Sequence, residues 1–211
     1  MTVSRPTLII ATTNRGKLRE FEALLSDLPV ALQSLIDRPG VPLVEETGAT
    51  YLENAALKAL AIARWSGVAA LADDSGLEVD HLGGGPGVHS ACFAGPAQES
   101  EANVGKLLRE LEGIPLEQRT ARFRCVLVVA QPSGETLTVE GVCDGRIIDA
   151  RCGSGGFGYD PVFFYPPAGR TFAQLTAAVK NQVSHRARAC ARLRPRLMRF
   201  MRAHSRANVA R

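Results

Sequence analysis

The chain has 211 residues, 45% of them hydrophobic and 22% charged, the composition of an ordinary globular protein with room for one large domain or two closely packed lobes. No apolar run approaches the roughly 20 residues needed to span a bilayer, and Thr7–Ala11 is too short for the apolar core of a signal peptide, so the expectation is a cytoplasmic protein with no membrane partner. The net charge of +4 is uneven: nine arginines and no acids lie between Arg186 and Arg211, which leaves +4 less nine, or −5, on residues 1–185.

Thr7–Ala11 reads as a buried strand, and Thr12-Thr13-Asn14-Arg15-Gly16-Lys17 turns it into a helix with Leu18, Phe21, Leu24, Leu25 and Leu28 on one face. Strand, polar turn and helix together present backbone N–H groups and a cation to a phosphate. Lys17 in the first helical turn opposes the helix dipole, which makes sense if something negative lies beside it. The two-glycine spacing of a P-loop is missing. A short strand follows over Ala31–Leu35, then a Pro/Gly-rich connection and Glu45-Glu46-Thr47-Gly48. An alanine-rich helix then spans about Tyr51–Trp65 with Glu53, Asn54 and Lys58 on a polar stripe. Glu45 and Glu46 complement that helix's dipole, or one of them serves as a metal ligand.

The stretch Leu71-Ala72-Asp73-Asp74-Ser75-Gly76 carries the densest chemistry. The apolar run Val68–Ala72 ends in two adjacent carboxylates, which on a strand face opposite sides, so one can point to a ligand and the other into the scaffold. Such a pair wants a counter-charge, and Mg2+ suits it: hard cations take carboxylate oxygens and leave positions for water and phosphate. Leu77-Glu78-Val79 reads as another short strand, and Gly83–Gly87 as a loop. His81 and His89 have no third ligand in register, so no metal site is expected of them.

Glu99–Glu112 is an amphipathic helix, and Ala121–Ala130 with Thr136–Val142 reads as a hairpin around Pro132-Ser133-Gly134. Helices alternating with strands early and a hairpin later argue for a mixed sheet in an α/β protein. In Gly153-Ser154-Gly155-Gly156-Phe157-Gly158-Tyr159-Asp160-Pro161, four glycines hold two aromatics and a carboxylate where backbone can approach a ligand closely. Phe157 could lie flat on a base and Tyr159 close the pocket edge. Lys180, His185 and Arg186 bring two permanent cations and a switchable donor to a helix start capped by Ser184, and that helix passes Pro195 only if kinked there. The arginine-rich helix could touch nucleic acid, but its arginines are not interleaved with aromatics that stack on bases. Five scattered cysteines without C-x-x-C spacing read as reduced, packed thiols.

These segments resemble the inosine triphosphate pyrophosphatase family, the XTP/dITP diphosphatases. The likeness is carried in order by Ala11–Lys17 with Glu20, Glu45–Gly48, Leu52–Ala55 with Lys58-Ala59, Ala72–Leu77, Pro86-Gly87-Val88, Gly155–Pro161 and Ser184-His185-Arg186. It implies a single domain over residues 1–211, an α/β fold with a long, twisted mixed sheet and flanking helices, and two lobes enclosing a central cleft. The implied activity is Mg2+-dependent hydrolysis of deaminated purine nucleoside triphosphates to monophosphate and pyrophosphate by a homodimer.

By position, the resemblance makes Asp74 the group that activates the attacking water, with Glu46 and Asp74 holding Mg2+ and Ser75 beside the substrate. Thr12, Thr13, Asn14, Arg15, Gly16 and Lys17, with Lys180 and Arg186, would grip the triphosphate. Phe157 and Gly158 would meet the purine, and Tyr159, Asp160 and His185 would read its edge. Hypoxanthine and xanthine offer a 6-oxo acceptor and an N1–H donor where adenine offers the reverse, so a matching site rejects ATP by roughly 10^4. Two positions depart from the family pattern. Ala178 and Val179 stand where an acid usually precedes the lysine, which is expected to loosen Lys180, and Cys92 stands where an arginine is usual, which removes a cation. Two rival readings are a binding module that contacts nucleic acid through the arginine-rich helix, and a hydrolase of the same type aimed at pyrimidine triphosphates.

Overall fold

The computed structural model describes residues 5–36 and 38–205. Seven strands form one mixed sheet in the order β2-β1-β3-β4-β5-β6-β7. Strand β1 (Thr7–Ile10) pairs in parallel with β2 (Ala31–Ser34) and with the first residues of β3 (Ala69–Val79), and the crossovers that parallel pairing demands carry α1 (Arg15–Leu25) and α2 (Tyr51–Ser66). Strands β4 (Thr120–Ala130) and β5 (Thr136–Ile147) form the expected hairpin, in which Gln131 N–H donates to the Glu135 carbonyl at 2.9 Å. The sheet then continues antiparallel through β6 (Phe163–Tyr165) and β7 (Arg170–Thr171). Helices α3 (Ser100–Glu110), α4 (Ala177–Val183) and α5 (His185–Ser205) are the remaining α-helices of the described residues. The α/β class and the mixed sheet agree with the sequence reading.

The chain divides into two compact units, one of Met1–Asp74, Val126–Gly141 and Ala189–Arg211, the other of Ser75–Cys125 and Val142–Arg188. In the first, Ile9, Phe21, Leu25, Ala59, Leu71 and Leu193 are almost wholly buried, which explains the apolar faces of α1 and α2. The second is built around an aromatic cluster. Phe163 packs 4.5 Å from Phe123 and 4.8 Å from Phe172, centroid to centroid, with Leu77, Leu107 and Val162 in the same core.

Two expectations about elements need correcting. The sequence suggests a strand that stops at Ala72 and a second that starts at Leu77, but β3 runs unbroken from Ala69 to Val79 with Asp73, Asp74 and Gly76 buried within it. The turn preference of Asp-Asp-Ser-Gly is overridden because β3 lies inside the sheet, flanked by β1 and β4, where ladder bonds and cation partners outweigh local propensity. Lys180 does not lead directly into the long helix: it belongs to the separate α4, and α5 starts at His185. Ser184 caps that start as expected, its Oγ accepting from Ala187 N–H at 3.2 Å. Helix α5 runs through Pro195, whose missing N–H leaves the Ala191 carbonyl without its usual helical donor.

The basic C-terminal helix is mostly occupied by the fold itself. Arg188, Arg192 and Arg196 donate to the carbonyls of Val142, Glu140 and Thr138 at 2.8, 2.8 and 3.3 Å. Four helical residues advance about 6 Å and two strand residues about 6.7 Å, so the two rows stay in step. The register of β5 with β6 covers Arg146 and Ile147, and these arginines meet carbonyls of β5 upstream of it. Arg194 pairs with Asp27 and the Leu24 carbonyl, and Asp27's carboxyl is held below its usual range by that hydrogen bond. Arg206 and Arg211 lie outside the described residues. No described helix is long and apolar enough to cross a membrane. Cys125, Cys143 and Cys190 are buried free thiols, and Cys92 and Cys152 are partly exposed ones.

Gly145 shows how closely the strands of the second unit approach. A Cβ there would lie 2.6 Å from the Phe164 carbonyl oxygen and 2.5 Å from Phe163 Cζ. Gly145→Ala is therefore expected to cost about 1–3 kcal/mol by overpacking, read as a lower urea midpoint with an unchanged slope.

Candidate active site

The first unit carries one group of the expected site residues. Asn14 caps α1 by accepting from the N–H groups of Gly16 and Lys17 at 2.9 and 3.0 Å, and its own N–H donates to Thr12 Oγ1 at 3.2 Å. Two of the amides that the turn was expected to offer a phosphate thus belong to a cap. Thr13, Asn14 and Arg15 are exposed, Thr12 and Gly16 half-buried. The negative charge that Lys17 called for lies in the chain itself: its Nζ sits 3.0 Å from Asp73 Oδ2, a carboxylate only 1% exposed. Alternation along β3 gives the neighbouring Asp74 the opposite face.

Asp74 meets α2. Asn54 Nδ2 donates to Asp74 Oδ2 at 3.2 Å, and Lys58 Nζ lies 3.7 Å from Asp74 Oδ1 and 3.2 Å from Glu46 Oε1. Asn54 and Lys58 are one helical turn apart, which puts both on the same face. Neither was singled out for the site beforehand, although the signal existed as two polar residues at i and i+4 in an otherwise alanine-rich helix. Glu46 itself is exposed, on the irregular segment before α2. That segment is fastened to the helix by a reciprocal cap, in which Glu53 N–H donates to Thr50 Oγ1 and Ala49 and Thr50 N–H donate to Glu53 Oε2.

Burial pushes the Asp74 carboxyl up from 3.8 to about 6, with the nearby Glu46 acting in the same direction, while Lys58, Lys17 and Asn54 oppose the rise without cancelling it. Two carboxylates converging on one ammonium make a locus of negative potential that suits a small hard cation. Among the described residues no three His, Cys, Asp or Glu side chains gather into a metal cluster, so a metal at Glu46 and Asp74 would draw its other ligands from water and phosphate.

The second unit carries the other group. The loop at Gly156 wraps around the Asp160 carboxylate: Phe157 N–H donates to Asp160 Oδ2 at 2.8 Å, and Lys180 Nζ bonds the same oxygen in a buried ion pair. Gly156 has φ +70°, and a Cβ there would fall 2.0 Å from Asp160 Oδ2, so only glycine permits the turn. Lys180 also lies 4.8 Å from the centre of the Phe157 ring, and the Arg186 guanidinium 5.8 Å from it. Arg186, 1% exposed, donates to Ser75 Oγ at 3.0 Å. His185 stacks on Phe123 at 4.7 Å. Tyr159 is buried with its hydroxyl donating to the Ser90 carbonyl at 2.8 Å, and burial pushes its ionisation well up. Gly158 adopts φ +60° with open space where a side chain would begin.

The family departures also acquire a physical meaning. Lys180 is held by Asp160 whatever precedes it in sequence, and Val179 is 39% exposed, so its side chain is not needed to orient the lysine. Cys92 Sγ sits 3.6 Å from the His89 carbonyl oxygen, in a segment pinned by Asn103, which accepts from Ala94 N–H and donates to the Ala91 carbonyl, both at 2.7 Å.

A mixed sheet whose inner strand buries a carboxylate pair, met by cations from two helices, defines an α/β protein with a charged site on that strand. The chain belongs to the Ham1 family, whose model matches residues 8–196. It is 55% identical over 186 residues to a dITP/XTP pyrophosphatase of Geobacillus kaustophilus, covering 88% of this chain and 91% of that protein. Among solved structures it is similar to the Ham1 protein of Staphylococcus aureus, with a TM-score of 0.80, 40% identity and coverage of 91% of this chain and 98% of that one. It is also similar to a HAM1 protein from Coxiella burnetii, with a TM-score of 0.83, 37% identity and coverage of 92% and 99%.

The raised Asp74 ionisation has a consequence for stability. Its proton is bound more tightly in the folded than in the unfolded chain, so the stabilisation is complete below about pH 4 and is lost as pH rises through about 6. In metal-free protein, Asp74→Asn is expected to be more stable than wild type at pH 8, by up to about 3 kcal/mol. The advantage should shrink steadily towards pH 4 in urea titrations.

Proposed function

We propose that this protein hydrolyses deaminated purine nucleoside triphosphates, ITP, dITP and XTP, to the monophosphate and pyrophosphate. The observation that carries the reading is the buried Asp74 carboxylate, held by Asn54 and Lys58 with Glu46 beside it. Support also comes from relatives named dITP/XTP pyrophosphatase at about half identity over most of the chain.

Attack at the α-phosphorus brings a water against a centre crowded with negative oxygens, so positioning and charge neutralisation supply most of the rate. Ionised Asp74 orients that water and takes its proton, held in place by Asn54 on Oδ2 and by Lys58 3.7 Å from Oδ1. Glu46 and Asp74 fit Mg2+, which when bound neutralises phosphate oxygens and the leaving pyrophosphate. The Thr12–Lys17 turn is assigned to the phosphates and Ser75 to the substrate, as the family resemblance implies.

Phe157 stacks the purine. Lys180 and Arg186 flank its ring, which makes them donors to a 6-oxo group as well as charges for phosphate, and His185 completes the polar edge. Tyr159 and Asp160 serve the same pocket by holding its walls, through Ser90 and through Phe157 and Lys180. Adenine would leave such donors facing a 6-amino group, an unpaired contact in a buried setting. The family resemblance adds a cytoplasmic homodimer to the proposal.

The test is product analysis with a substrate panel. With Mg2+ present, dITP and XTP should release pyrophosphate as the first product, with kcat/KM exceeding that for ATP by roughly 10^4. Asp74→Asn should lower kcat by about 10^2–10^4 while circular dichroism stays that of wild type. Orthophosphate as the first product would contradict the reading.

A further inference from the structure

Asn54 is 3% exposed, and its amide has one consistent orientation. Gly48 N–H can only donate, and it points at Asn54 Oδ1 from 2.7 Å, so the amide nitrogen is the group that faces Asp74 Oδ2 at 3.2 Å. The contact with Gly48 is close enough to exclude a side chain there: a Cβ on Gly48 would lie 2.7 Å from Asn54 Oδ1 and 2.6 Å from Glu53 Cβ. Gly48 is two residues from Glu46, so one side chain ties the acid-bearing segment to the acid on β3. Lys58, a turn further along α2, occupies the other Asp74 oxygen. The carboxylate therefore meets two different partners on its two oxygens, both delivered by one rigid helix.

We propose that Asn54 is a positioning residue for the hydrolysis: its amide, oriented by the Gly48 N–H, donates to Asp74 Oδ2 and so fixes Asp74 with Oδ1 turned to Lys58 and Glu46. This rests on the function proposed above. Asn54 touches no reacting atom and acts through Asp74, as do groups that orient ligands and bases from behind.

Asn54→Asp separates the two halves of the role. It keeps an oxygen to accept from Gly48 N–H and replaces the donor to Asp74 with an acceptor. The expected result is a kcat on dITP lower by roughly 10–100-fold, with KM within about threefold of wild type. If Asn54 served only to hold the Gly48 segment, Asn54→Asp would keep near-wild-type kcat, and that outcome would overturn the proposal.

A second readout does not depend on activity. Urea unfolding of metal-free protein is measured for Asn54→Asp, Asp74→Asn and the double variant, in which the donor and acceptor change places. Asn54→Asp should lower the midpoint, and adding Asp74→Asn should restore most of the loss, a non-additive cycle. Strictly additive midpoints with intact wild-type activity would overturn the positioning role alone. A wild-type enzyme inert towards dITP would instead overturn the proposed function, and the hydrolytic role of Asn54 with it, even if the midpoints couple.

Discussion

Asp73 and Asp74 are neighbours in the middle of β3, 2% and 5% exposed, and two charges buried so closely persist only where cations and hydrogen bonds meet them. The chain meets them from two directions. Helix α1 brings Lys17 to Asp73, and helix α2 brings Lys58 and Asn54 to Asp74. The parallel β1–β3 pairing and the two crossover helices of the first unit thus place cations as much as they pack a core. The compensation is also uneven. Asp73 has a lysine at 3.0 Å, whereas Asp74 has its ammonium at 3.7 Å, shared with Glu46, and its ionisation stays raised. One acid of the pair is locked into the scaffold and its neighbour is left short of positive charge, which is the condition a cation-binding, water-orienting carboxylate needs.

The second unit solves a similar problem with the opposite emphasis. Asp160 is buried and fully engaged, and its work is to hold Lys180 and the Phe157 amide on one oxygen. Around the Phe157 ring this leaves two cations in fixed places and a flat apolar surface. Glycines 156 and 158 make the loop possible through positive φ, while Tyr159 and Asn103 brace the neighbouring segment through backbone carbonyls. Rigid polar donors beside an aromatic face discriminate bases by which hydrogen bonds they leave unmade.

Much of this was legible in the sequence because strong periodicity survives folding. The faces of α1 and α3, the hairpin around Pro132-Ser133-Gly134 and the Ser184 cap are where the pattern put them, except that Leu28 falls beyond the end of α1 at Leu25. What failed was local reading of Asp-Asp-Ser-Gly as the end of a strand, since turn preference says nothing of the cations that α1 and α2 would deliver from a distance in sequence. For the same reason Asn54 and Lys58 read only as members of a polar stripe on α2, although Asn54 is buried. Composition left nucleic-acid contact by the arginine-rich helix as an alternative, and it could not show that Arg188, Arg192 and Arg196 donate to carbonyls of β5, a pairing that exists only once helix and strand lie side by side. Short strands β6 and β7 carried too few residues to show an alternation.

The task proposed for Asp74 is to deliver one water to the phosphorus nearest the nucleoside. Hydrolysis of dITP in H2(18)O with mass spectrometry of both products tests this most directly. The account predicts the heavy oxygen in the nucleoside monophosphate and none in pyrophosphate. Label in pyrophosphate would mean that water attacks the β-phosphorus, and the role given to Asp74 would be wrong.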